Sequence, residues 1–461
     1  MASDATGTAA PGVFAPGRRM LTGGLVLIVT LVASEALAIS TVMPLVEEDL
    51  GDLWLYGWVF SAFFLGNLVG IVVGGTAADR LRPAVPFAAG LALFCSGLVV
   101  GGLAPTMLVL VVGRALQGLG AGSMMAVSYV CIGRGYPHEQ RPTMFALISS
   151  AWVVPSVAGP ALAGFVGSAV GWRWVLLGLL PLCLVIGTLA LVSVRAIPAS
   201  EEPAEGTNLL GAVMVAIGAA LVLAGFGSGS VLQSAALVVV GAVLGVPAFR
   251  RLVPPGTLRA RPGLPATIAV RGLLTFAFFC GDAYVPYALI TLRGLPASVA
   301  GLALTAAALM WTAGSWIQAR RLDVIGARRL VTVGFASLML GTLAMLLVLP
   351  PSIPAAVGIA CWAVAGFGIG MAYSPLSVVT LASAADGQEG RATSSLQLSD
   401  TLGTALGSGL GGVLVAVGVA AADSDRVGLL GVYLLGAVVA GIGALLARRV
   451  PGRAPAEVVA A

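Results

Sequence analysis

"LVLIVTLVASEALAISTVMPL" occupies residues 25–45, and Glu35 is the one charged residue in it. An apolar run of about 20 residues is the length that crosses a bilayer core of about 30 Å as a helix. Such runs recur along the whole chain of 461 residues. The mean hydropathy is +1.03. Charged residues make up 9% of the sequence, against about 25% in soluble domains. The pattern predicts an all-α polytopic membrane protein. It is not a transmembrane β-barrel, whose strands alternate over segments of about 10 residues. A plain membrane anchor has no use for a buried carboxylate, so Glu35 needs an explanation.

The apolar runs number fourteen: 21–46, 55–76, 84–103, 106–130, 143–168, 174–194, 208–227, 231–249, 265–291, 298–318, 329–349, 354–383, 391–418 and 427–447. The net charge of +5 comes wholly from arginine, because the chain has no lysine. Nineteen of the 24 arginines fall in the tails or in even-numbered loops, and the odd-numbered loops hold only Arg173, Arg293 and Arg426. Basic residues mark the cytoplasmic side. The bias predicts an even number of spans and both termini in the cytoplasm. Arginines scattered over short loops in this way are topology signals and do not make a nucleic-acid surface. The five cysteines (Cys95, Cys131, Cys183, Cys280, Cys361) all sit in apolar runs without metal-ligand spacing, which reads as buried free thiols.

An internal repeat sets the organisation. "HEQRPTMFAL" (138–147) precedes span 5 and "GQEGRATSSL" (387–396) precedes span 13. Glu139, Arg141 and Thr143 thus match Glu389, Arg391 and Thr393, and Gly159 and Gly409 each follow sixteen residues after the threonine. Corresponding spans then lie eight apart: two six-helix units with two helices inserted between them, resembling the parallel repeats of large transporters. The expected division is an N-terminal tail (1–20), a six-helix bundle (21–195), two additional helices with linkers (196–263), a second six-helix bundle (264–448) and a C-terminal tail (449–461).

Three stretches carry further chemistry. "GGTAADRLRP" (74–83) ends span 2 at a cytoplasmic loop, with Gly75 allowing close helix approach and Asp79 beside Arg80. "LVVGRALQGLGAG" (110–122) places Arg114 in the middle of span 4, with Gln117 three residues on. A charge at helix centre costs about 2.5–3.5 kcal/mol on insertion scales, so it faces a partner or a wet cavity. "VVPSVAGPALAGFVG" (153–167) puts Pro155 and Pro160 inside span 5, where missing backbone hydrogen bonds make a deformable helix.

These motifs resemble those of the major facilitator superfamily, in its fourteen-span drug:proton antiporter family. "GGTAADRLRP" is similar to the loop 2–3 signature, with Arg82 and Pro83 where that pattern prefers glycine and a basic residue. "RALQGLGAG" is similar to the span 4 signature. "AGPALAG" resembles the span 5 antiporter signature, with Ala163 in place of a glycine. "SEALAISTVMP" resembles the span 1 motif, with Glu35 where aspartate is usual, and "GWRWVLLGLLP" the entry to span 6. The resemblance covers nearly the whole chain. It implies two rocking bundles around a central cavity, and export by exchange against protons.

On helix rise, Glu35 lies about 16 Å and Arg114 about 12 Å below the outer face. Asp282 in span 9 and Asp400 in span 13 lie about 14 Å deep from opposite faces. These four residues are the proton-coupling candidates, since intramembrane carboxylates mark proton relays or substrate sites. Among the four, Glu35 is expected to carry the proton and Arg114 to set its affinity. The glycines Gly66, Gly70 and Gly74 of span 2 and Gly403, Gly407 and Gly411 of span 13 form smooth stripes. With Gly159 and Pro160, they are the expected hinge and packing positions, and the resemblance implies that spans 2 and 13 meet along them. Gly75, Asp79, Arg80, Glu139, Arg141 and Arg391 form the expected cytoplasmic gate, with Asp79 docked at the start of span 13 in the outward-facing state. Gln117, Trp152, Phe278, Phe279 and Gln397 are the candidate cavity-lining residues.

Other function classes fit less well. No nucleophile–base set, metal cluster or P-loop is present, and His138 is the lone histidine. An enzyme and an ATP-driven pump are therefore not expected. A receptor or scaffold on the same fold would not need three midplane carboxylates. The expected protein is a cofactor-free, monomeric multidrug-type exporter in a bacterial inner membrane, using protons as the coupling ion and taking small hydrophobic or amphipathic substrates. An exporter dedicated to a lipid or an endogenous metabolite would use the same residues.

Overall fold

The computed structural model describes residues 13–15, 18–137, 140–199, 209–227, 230–385 and 388–452. Among these the chain is helical, with no strand. The elements are α1 (Arg19–Leu50), α2 (Tyr56–Arg80), α3 (Ala84–Gly102), α4 (Met107–Gly135), α5 in two pieces (Arg141–Ser150 and Val153–Ala169), α6 in two pieces (Arg173–Leu177 and Leu179–Val194), α7 (Leu209–Phe226), α8 (Val231–Leu252), α9 (Leu264–Asp282), α10 (Ala297–Ile325), α11 (Ala327–Ala344), α12 (Val357–Ala382), α13 (Glu389–Ala422) and α14 (Asp425–Leu446). Thirteen helical segments among the described residues are long and apolar enough to cross a membrane, and Val154–Ala169 is a shorter apolar one. This is the all-α arrangement that the apolar runs predict, with span 5 broken.

Both irregular spans have a chemical cause. The first piece of α5 ends at Ser150, and Pro155 falls in the first turn of the second piece. The first four N–H groups of a helix need no intrahelical acceptor, so proline loses no hydrogen bond there, whereas Pro160 lies deeper inside the same piece. The chain restarts its helix just ahead of Pro155. In α9 the helix ends at Asp282, and Pro286 lies in the short turn Val285–Tyr287 that follows. Continuing α9 would require an N–H from residue 286 to the carbonyl of Asp282, which proline lacks. The helix therefore ends on one of the candidate carboxylates.

α1–α6 pack together and α9–α14 pack together, with α7 and α8 forming a hairpin that touches both α2 and α13. The glycine stripes pack differently from the sequence expectation. Gly66, Gly70 and Gly74 lie against Ala115, Leu119 and Ser123 of α4, and Gly403, Gly407 and Gly411 lie against Gly272, Phe276 and Cys280 of α9. Each stripe joins helices within one bundle. A stripe of this kind lets two backbones approach closely wherever it sits, so spacing alone does not say which neighbour it takes.

The bundles meet elsewhere. Tyr56 stacks near Tyr284 and Tyr287, at centroid distances of 5.3 and 5.4 Å. Its hydroxyl donates to the Ala283 carbonyl at 3.3 Å. Ser61 donates to the Ala405 carbonyl at 2.8 Å. A Cβ on Gly57 would stand 2.9 Å from the Gly409 carbonyl oxygen and 3.0 Å from the Gly412 Cα. On the other flank Thr305 donates to the Val157 carbonyl at 3.3 Å, and Gly301 lies under the Pro160 carbonyl. All of these contacts lie in the half of the molecule away from the termini. Substituting Gly57 by valine should wedge this seal apart, because two of its three close neighbours are backbone atoms and the third is the Tyr284 hydroxyl, itself bonded to the Ser408 carbonyl. Spin labels placed across the face opposite the termini should report a longer distance in Gly57→Val. An unchanged distance would mean that this seam does not hold the bundles together.

Candidate functional site

Two buried ion pairs lie inside the bundles. In the N-terminal bundle α1 presents Glu35 and α4 presents Arg114, both essentially without solvent exposure. Arg114 donates to Glu35 Oε1 and to Gln117 Oε1 through the same nitrogen. Its Nε donates to the Val59 carbonyl at 3.2 Å, and its guanidinium carbon lies 4.3 Å from the centre of the Phe63 ring. Three helices thus converge on one cation, and α2 contributes both a carbonyl and an aromatic face. Gln117 is fully buried as a partner of Arg114, so it supports the pair and does not line a cavity.

The C-terminal bundle holds a second pair, whose acid, Asp400, is among the expected proton-coupling residues and whose base, Arg271, is not. Arg271 of α9 donates through Nε to Asp400 Oδ1 of α13 at 2.9 Å. Its NH1 donates to the Tyr373 carbonyl of α12 at 2.7 Å. The Tyr373 hydroxyl donates to Asp400 Oδ2 at 3.0 Å, and the guanidinium lies over the Tyr373 ring. The reasoning that marks Arg114, a charge inside an apolar run, applies equally to Arg271 in "LPATIAVRGLLTFAFFCGD", and the signal was available there. Glu35 is therefore not alone in having a cation partner within its own bundle. The two pairs differ in access: the side chain of Asp400 is 14% exposed and that of Glu35 is 0% exposed.

Asp282 stands apart from both. It accepts one hydrogen bond, from the Trp362 indole nitrogen at 2.9 Å, and among the described residues no arginine pairs with it. Its donor Trp362 belongs to an aromatic cluster. Phe278 stacks on Trp362 at 5.3 Å and meets Trp311 edge-on at 5.5 Å. Phe279 approaches Phe64 of the other bundle at 6.0 Å. Phe278 is buried within this aromatic packing, Phe279 and Gln397 are half-buried, and Trp152, at the break in α5, is exposed.

The gate residues are not brought together. Asp79 pairs with Arg134 of α4 at 3.0 Å, and the same guanidinium holds the Ala78 carbonyl at 3.1 Å. Both side chains are partly exposed, and such pairs contribute about 1 kcal/mol or less. Arg80 and Arg391 are exposed. Arg141 donates to the Tyr136 and Gly133 carbonyls at 3.2 and 2.7 Å, closing the end of α4. A Cβ on Gly75 would meet Ala126 only at 3.9 Å, while the close approach falls at Gly74. Gly159 is similarly uncrowded, with Leu37 at 4.0 Å. Glu139 lies outside the described residues.

A helical bundle pair with inserted helices, whose mid-helix charges face the bundle interiors, is a transporter architecture. The chain belongs to the Major Facilitator Superfamily, whose family model matches residues 25–408. A probable multidrug-efflux transporter of Mycobacterium tuberculosis (strain H37Rv) is 30% identical over 422 residues, covering 86% of each chain. The multidrug transporter protein MdtP of Bacillus subtilis is 24% identical over 411 residues, covering 85% of this chain and 74% of its own. Among solved structures, a bacterial homolog of the human lysosomal transporter Spinster, inward-facing and unoccupied, superposes with a TM-score of 0.68 at 15% identity, covering 94% of this chain and 98% of its own. The xylose transporter XylE of E. coli, partially occluded and inward-open, gives 0.63 at 15% identity, covering 93% and 97%. These are transporters and not enzymes. The protein is a multi-pass membrane transporter with multidrug-efflux relatives.

Proposed function

We propose that this transporter exports small hydrophobic or amphipathic compounds in exchange for protons, by alternating access between the two bundles. The observation that carries the reading is the Glu35–Arg114 pair: a titratable carboxylate sealed from solvent against a guanidinium, in a bundle interior that is otherwise uncharged. Burial favours the neutral acid and the guanidinium favours the anion. A small change in their separation or hydration between states is then enough to load or release a proton. The arginine bias supports termini in the cytoplasm of a bacterial inner membrane, and with the termini on that side the seal on the opposite face corresponds to an inward-facing state. Asp79 would leave Arg134 for the start of α13 when the cytoplasmic side closes.

The test is transport in liposomes. An imposed proton gradient should drive a fluorescent amphipathic compound uphill, and a protonophore should stop it. Accumulation that ignores the gradient overturns the coupling.

Asp282, with one hydrogen bond, no arginine partner among the described residues and an aromatic cluster beginning at Trp362, suits the positive end of a cationic substrate. Asp282→Asn is expected to reduce export of a permanently cationic compound by at least about tenfold, while a neutral compound of the same size is exported nearly as before. Equal losses for the two would remove the charge-reading role.

A further inference from the structure

The face that carries the termini is not evenly charged. In the C-terminal bundle, residues 256–263, 327–330 and 447–452 hold Arg259, Arg261, Arg328, Arg329, Arg448 and Arg449 and no carboxylate. All six side chains are exposed. Two of them are held by backbone carbonyls. Arg449 NH1 donates to the carbonyls of Arg259 and Ala260 at 3.0 and 3.1 Å. The Gly263 amide donates to the Arg449 carbonyl at 3.1 Å. Arg328 Nε donates to the Val450 carbonyl at 2.9 Å, and the Ala327 amide to the Gly452 carbonyl at 3.0 Å. Three segments distant in sequence are thereby stapled into one surface, and neither Arg449 nor Arg328 meets an acid there. The N-terminal bundle instead balances Arg134 with Asp79.

The patch also has a second chemistry. It lies where α9 and α11 begin and α14 ends, at the level where apolar helix gives way to water. Directly along α11 and α14, Val333, Leu340, Val438 and Leu445 are exposed, between 48% and 62%. A run of bare apolar side chains ending on unpaired guanidiniums matches an acyl chain joined to a phosphate. Guanidiniums bind phosphate oxygens bidentately, and basic residues at an anionic membrane surface attract its headgroups.

We propose that this surface is a binding site for an anionic phospholipid, with the phosphodiester on Arg259 and Arg329, on the surface that the Arg328 and Arg449 staples hold together, and the acyl chains along α11 and α14. The site requires only that the chain spans a membrane and does not depend on the transport reading. Binding can be measured by native mass spectrometry and thermal unfolding of the full-length protein in detergent, titrated with phosphatidylglycerol, with phosphatidylcholine of the same chains, or with inorganic phosphate. Phosphatidylglycerol should bind at least about tenfold more tightly than phosphatidylcholine and raise the unfolding midpoint. Inorganic phosphate should do neither. Arg259→Gln with Arg329→Gln, which leaves the Arg449 and Arg328 staples intact, should erase the preference. Equal binding of the two lipids, an equal response to inorganic phosphate, or an undiminished preference in the double variant would each overturn the site. Were the double variant not to fold, the wild-type comparison of the three additives decides alone.

Discussion

Glu35→Gln is expected to bring substrate-induced proton release down to that of protein-free membranes and to stop uphill export, while binding of a neutral amphipathic compound persists. Glutamine still accepts from Arg114, and Arg114 keeps Gln117 and the Val59 carbonyl, so its hydrogen bonds stay filled although its charge loses its counter-ion. Stranding one member of a buried pair costs about 3–5 kcal/mol. Arg114→Leu should incur that cost and lower the yield of folded protein. Glu35→Asp keeps a titratable group on a shorter arm and should retain partial activity. Proton release from purified protein on substrate addition separates these variants. If Glu35→Gln releases protons as the wild type does, while Asp282→Asn or Asp400→Asn does not, the carrier lies in the C-terminal bundle.

A comparably large loss is expected at Arg271. Its guanidinium ties α9 to α12 and α13 at once, through the Tyr373 carbonyl, Ser377 and Asp400. Arg271→Gln removes the charge that Asp400 pairs with in a site where Arg271 is almost fully buried. A destabilisation of about 3–5 kcal/mol follows from the same reasoning, together with loss of transport. Pairing it with Asp400→Asn should restore much of the thermal stability, because neither charge is then left uncompensated, but it should not restore transport. If the single and double variants melt alike, the pair is not energetically coupled.

The fold was legible from residues 25–45 and their repeats, because backbone polar groups in a bilayer have to be satisfied within the segment and helices alone do this in single spans. The pairing of Glu35 with Arg114 was legible too, from helix rise and the cost of isolated charge. The meeting of spans 2 and 13 followed from the resemblance, and α2 and α13 do pack on each other, but the faces they use were not legible. The stripes Gly66–Gly70–Gly74 and Gly403–Gly407–Gly411 carry a spacing that suits any close partner, and only the three-dimensional arrangement assigns them to α4 and α9. The seal of Tyr56, Tyr284 and Tyr287 was missed because its members come from the ends of two spans and carry no charge to mark them. Arg271 was missed for no physical reason, since it obeys the rule that found Arg114.

The α7–α8 hairpin has a consequence for the membrane itself. One apolar cluster joins Leu65 and Leu68 of α2, Ala212 and Val215 of α7, Phe249 of α8 and Leu396 and Ala405 of α13, so the hairpin rests on both bundles while Val231, Val239 and Val243 on α8 face outward. Hydrocarbon tails solvate leucine as well as leucine does, so sliding along this greasy seam changes little in solvation. The load on the hairpin comes instead from the lipid pressed against α8. Bilayer thickness and lateral pressure thereby become variables of the cycle, and turnover in vesicles should change with acyl-chain length at constant headgroup.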